Sequence, residues 1–154
     1  MLRIFHPVAG VVALITISTF WLSTVLSEVF GSQAVVTTVK TAIPWGFLLL
    51  IPALAIAGGS GFVLSRERVG AALVVSKLKR MRVIAANGVL VLIPSALFLA
   101  YKARAGEFDV MFYAVQALEL VAGATNIALL SRNVLDGLRI KGRLRRRLAS
   151  RAQS

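Results

Sequence analysis

Four long apolar stretches, each about the length of a bilayer crossing, alternate with polar segments along this chain, covering residues 8–27, 36–63, 83–100 and 110–131. A hydrocarbon core of roughly 30 Å asks about 20 apolar residues of a helix. In lipid a helix also satisfies its own backbone hydrogen bonds. The pattern therefore predicts an all-α integral membrane protein. Its expected architecture is a four-transmembrane-helix up-down bundle over residues 1–131, followed by a basic tail at 132–154. The connections at 28–35 and 102–109 are short, so the helices they join should pack antiparallel.

Each run carries its own marks. Pro7 suits the first turn of a helix, where its missing N–H is not needed. The first run is about 20 residues long, against the 7 to 15 of a signal-peptide core. It reads as a retained span, even though Ser32, Gln33 and Ala34 loosely fit a cleavage site. Thr16, Thr19, Ser23 and Ser27 recur in it at spacings of three, four and four, which puts small hydroxyl side chains on one face. That face is expected to be a packing seam that trades interhelical hydrogen bonds. In the second run Pro44 and Pro52 should kink the helix, and Lys40, near its start, is expected to snorkel to the surface. Gly58, Gly59 and Gly61 close that run without the lysine of a P-loop or the strand–turn–helix setting of a dinucleotide fingerprint. Asn87, Pro94 and Tyr101 recur every seven residues in the third.

Composition agrees with lipid as the solvent: 58% of residues are hydrophobic and the mean hydropathy is +0.83, above the ordinary range for a soluble domain. The absence of cysteine excludes disulfides, thiolate metal sites and thioether-attached haem. The net charge of +12 is concentrated in residues 65–82 and 132–154. These blocks adjoin the ends of apolar runs, so they read as topology determinants and contacts for anionic lipid headgroups. Nucleic acid is not the expected partner. The connector and the tail both interleave apolar and basic residues, as amphipathic helices on a membrane surface do. With the blocks inside, both termini fall on the cytoplasmic side of a bacterial inner membrane.

Candidate chemistry centres on Glu119, which stands near the middle of the fourth run. A carboxylate there is a functional-site hypothesis by default. Gln116, Glu119, Gly123 and Asn126 recur at three, four and three, which holds them on one face, with Tyr113 beside them. Asn87 and the Ser/Thr face of the first span are the expected partners of this intramembrane polar site. Glu28 and Lys40, at facing ends of adjacent spans, are expected to form an outer ion pair. His6, the only histidine, is the one conventional haem ligand; haem b held there would need a second ligand from Lys, Met, water or another copy. No Ser/His/Asp set, Walker motif or zinc motif occurs. The leading expectation is a non-enzymatic protein acting by association, as an accessory or assembly subunit of a membrane complex or as a homo-oligomer. The alternatives are a haem- or quinone-binding redox protein and a proton or cation pathway through Glu119.

Overall fold

The computed structural model describes the backbone of residues 2–66 and 72–151, and the side chains of residues 7–59, 76 and 79–138. All elements among them are helical: α1 (Leu2–Phe30), α2 (Gln33–Arg66), α3 (Ala72–Asn87), a π-helical turn (Gly88–Leu92), α4 (Ile93–Ala105) and α5 (Val110–Arg151). Four helical stretches are long and apolar enough to cross a membrane, Pro7–Phe30, Gln33–Gly59, Lys79–Ala105 and Val110–Leu138. The third combines α3, the π turn and α4. Large apolar side chains such as Ile15, Leu22, Trp45, Leu48, Leu90 and Val121 cover the outside of the bundle, which a lipid solvent accommodates.

The connections are built by local hydrogen bonds. Between α1 and α2 the Gly31 N–H donates to the Ser27 carbonyl, and the Val36 N–H to the Ser32 carbonyl. One helix thus ends and the next begins within two residues. After α4, Gly106 takes the left-handed conformation (φ 71°) that glycine adopts freely. Asp109 then caps α5, its Oδ1 accepting from the Phe112 N–H at 2.9 Å while its Oδ2 accepts from Lys102 Nζ at 2.6 Å.

α1 packs along α2 and α5, α2 along α4, and α5 also along α3 and α4. One apolar core gathers Ala13, Ile17, Leu50, Ala53, Ile84 and Leu130. A second gathers Val36, Leu99, Ala103 and Phe112 at the end of the bundle that carries the α1–α2 turn and the α4–α5 loop, called here the loop end. Thr37 Oγ1, which donates to the Ala103 carbonyl at 3.3 Å, marks that common end of α2 and α4.

Three boundaries differ from those expected. The glycines at 58–61 do not end the second helix, which continues to Arg66. The basic connector is not a separate surface helix in its described part, because α3 runs from Ala72 directly into the third span; residues 67–71 lie outside the described residues. The basic tail continues α5 as one helix to Arg151. No proline interrupts residues 132–151, and Arg and Leu are good helix formers. Pro94 is absorbed by the π turn, in which the Ile93 N–H reaches back to the Gly88 carbonyl. The proline therefore starts a new helical segment rather than breaking one.

Candidate functional site

The buried face of α5 is polar. Phe112, Gln116, Glu119, Gly123, Asn126, Leu130 and Asn133 are all buried and follow one another at alternating spacings of four and three. This is the narrow seam that a helix buries in a left-handed bundle. The four polar members turn inward because acyl chains offer them no hydrogen bonds.

Glu119 meets Lys40. The ammonium of Lys40, only 1% exposed, lies 2.5 Å from Glu119 Oε2. The expected outer pair between Lys40 and Glu28 is thus replaced by an interior one. Lys40 is seven residues into α2 and Glu119 nine into α5, about 10 and 13 Å from the helix starts at 1.5 Å per residue. At that depth the ammonium reaches a carboxylate across the bundle more directly than it reaches water. Opposite charges so placed neutralise each other where either alone would be costly. Glu28 keeps a buried Oε1 without a hydrogen-bond partner.

One heptad further along, the seam makes amide contacts. Asn87 Nδ2 donates to Asn126 Oδ1 and to the Ala122 carbonyl, both at 2.9 Å. Asn126 Nδ2 donates to the Ile84 carbonyl at 3.3 Å. The expected pairing of Asn87 with the stripe is therefore present. Asn133, one heptad on, is buried with neither amide atom partnered. Asp136 accepts from Arg80 Nη2 at 2.5 Å, tying the far part of α5 to α3. The spacing from Asn126 to Asn133 extends the heptad visible in the sequence, but the Arg80–Asp136 pair carries no comparable signal.

The hydroxyl face of α1 behaves differently from expectation. Thr16 and Thr19 donate to carbonyls four residues back, and Ser27 to the carbonyl of Thr24. A helix carbonyl lies within reach of its own hydroxyl residue, so these bonds form without a neighbouring helix. The side-chain link from α1 to α5 is instead the Trp21 indole N–H, which donates to the Leu120 carbonyl at 2.9 Å. Gly123 makes room for it, since a Cβ there would stand 3.0 Å from Trp21 Cδ1. Tyr113 is half exposed and stacks edge-on against Phe112 rather than joining the buried seam.

A cavity of about 50 Å³ borders Glu119, walled mainly by Ile17, Phe20, Trp21, Thr24 and Phe47. A water molecule occupies about 30 Å³ of liquid, whereas a benzene-sized ligand needs about 150 Å³. The space is the size of one or two waters. The side chain of His6 lies outside the described residues. Among the described residues no cluster of three His, Asp or Glu side chains is placed to hold a metal ion. Compared with known protein families, curated proteins and solved structures, the chain matches none.

Proposed function

We propose that this chain is a non-enzymatic multi-pass protein of a bacterial inner membrane that acts by association, as an accessory or assembly subunit or as a homo-oligomer. The observation that carries this reading is the outward face of α5. Opposite the polar seam, Ala114, Ala117, Val121, Ala124 and Ala128 are exposed at spacings of three, four, three and four. The outer face of α1 is bulkier, with Val8, Val11, Ile15, Leu22 and Leu26 exposed, and α2 exposes Trp45, Leu48 and Leu49. A small-residue face lets another helix approach closely enough for backbone contact, which is how helices associate in lipid. The basic segments support an orientation with both termini cytoplasmic and anionic headgroups around them.

The two other readings have less support. Lys40 already occupies Glu119, so a free cation has to displace a tethered one. A quinone ring exceeds the Glu119 cavity, and a haem on His6 depends on a second axial ligand. The test is photocrosslinking in native membranes from benzoylphenylalanine placed at Ala117, Ala124 or Ala128, with Ile15 and Leu22 as lipid-facing controls. Protein adducts confined to the α5 positions are expected. They would have twice the 16.5 kDa chain mass for self-association, or another mass for a partner. Lipid adducts alone at all five positions would refute the proposal.

A further inference from the structure

We propose that the outer groove between α3 and α5, where Lys79, Arg80 and Arg132 converge at the tail end of the bundle, binds the phosphate of one anionic phospholipid. Such a site gives a place to the headgroup contacts proposed above, on which it rests, and is independent of association. Its fixed point is the Arg80–Asp136 bond, 2.5 Å from Nη2 to Oδ2. That bond joins the two helices while both side chains stay partly open, 19% and 16% exposed.

Helix geometry sets the other two cations on one side of the bond. On α3, Met81 and Ile84 belong to the apolar core and stand about 100° and 40° from Arg80, whereas Lys79 stands about 100° the other way. On α5, Gly123 and Leu120, which meet Trp21 of α1, are turned about 60° and 120° from Asn126. Asp136 and Arg132 are turned about 80° and 120° in the opposite sense. Lys79 and Arg132 thus flank the bond on its outer side, and both are exposed. Arg132 starts about 6 Å deeper than Asp136, a distance its long stem covers by snorkelling toward the headgroups.

Charge and donors there are left over. Asp136 is the one carboxylate at the tail end among the described residues, and it faces three cations. Arg80 spends Nη2 on Asp136 and Nε on the Ser76 carbonyl, so Nη1 has no acceptor among the described residues. A phosphate takes such N–H groups well.

Depth selects a lipid as the bearer of that phosphate. The third span begins at Lys79, and Lys102, bonded to Asp109 at the loop end, lies 23 residues on. That separation is about 35 Å of helix, a little more than the roughly 30 Å of a hydrocarbon core. The cations of the groove therefore lie in the phosphate layer. Toward the loop end the groove is walled by exposed Val83 and Ala86 of α3 and Val121 and Ala128 of α5, an apolar path for acyl chains that a free phosphate does not use.

The test uses vesicles containing the full chain and a photoreactive phosphatidylglycerol or the matching phosphatidylcholine, each with a diazirine near the top of an acyl chain. Adducts are mapped by peptide mass spectrometry. Phosphatidylglycerol should label residues 83–86 and 125–128 at least about ten-fold more than phosphatidylcholine, the scale set by two cations near a membrane surface. Lys79→Gln with Arg132→Gln should lose that preference. Arg82→Gln with Arg104→Gln, an equal loss of charge at exposed positions away from the groove, should keep it. Inorganic phosphate should not compete. Equal labelling by the two lipids at these residues, equal loss in both double variants, or displacement by inorganic phosphate would overturn the site. Anionic preference confined to residues 139–151 would overturn it too while leaving the headgroup contacts of the tail standing, and preference nowhere would contradict both.

Discussion

Lys40 turns inward to Glu119 although Glu28, on the adjoining helix, is much closer in the chain. The choice follows from which faces the helices bury. Lys40 shares the inner face of α2 with Val36 and Ile43, all three buried, so its stem points into the bundle. The nearest fully inward carboxylate is that of Glu119 at the α5 seam.

The amides of that seam differ in what they hold, and their substitutions should differ in sign. Asn87→Ala or Asn126→Ala removes hydrogen bonds between packed helices, each change costing about 1 kcal/mol. The double variant should cost less than the sum of the two singles, because both singles lose the shared Asn87–Asn126 contact while each also loses one bond of its own. Asn133→Leu instead removes two unpartnered amide atoms and should leave stability unchanged or raised. Unfolding of each variant in detergent, followed by helical circular dichroism, gives the comparison.

Gly123 should tolerate no large side chain. Gly123→Leu drives into Trp21 and should break its bond to Leu120, with an overpacking cost of about 1–3 kcal/mol. The Trp21 emission, isolated by Trp45→Phe, should shift with it. Gly59→Ala, where a Cβ meets nothing, should do neither.

The α4–α5 loop should loosen in acid. The hydrogen bond from Lys102, and after it the Phe112 N–H, hold the Asp109 carboxyl below its ordinary value of 3.8. The folded value is the lower one, so the clasp stabilises the loop above about pH 3.8 and is lost as pH falls through the folded value. Asp109→Asn keeps a capping oxygen but removes the charge. The thermal stability of this variant should lose the part of its acid dependence that the wild-type chain shows below that pH.

Much of this fold is legible from the apolar runs alone, because lipid makes span length a near-direct readout of helix existence. Helix ends are less legible. Nothing after the glycines of residues 58–61 forces a turn, so the stop expected there does not occur, and the helix-forming tail carries α5 past the break expected after Ser131. In the site, the period of Gln116, Glu119 and Asn126 identifies the buried face of α5, and Asn87 as its partner. The inward course of Lys40 is not legible, because snorkelling depends on which way a stem leaves its helix. That direction is set by tertiary packing, and nothing local to residues 36–44 encodes it.

The pairing of Lys40 with Glu119 is the contact on which the interior of the bundle rests, and charge reversal tests it most directly. Lys40→Met leaves a buried carboxylate alone and should cost on the order of 3–5 kcal/mol. Lys40→Glu and Glu119→Lys, each alone, set like charges against each other and should prevent accumulation of folded protein in the membrane. The double exchange restores an opposite pair at the same place and should recover most of the wild-type level. Single reversals tolerated as well as the double exchange, or a double exchange no better than either alone, would contradict the account.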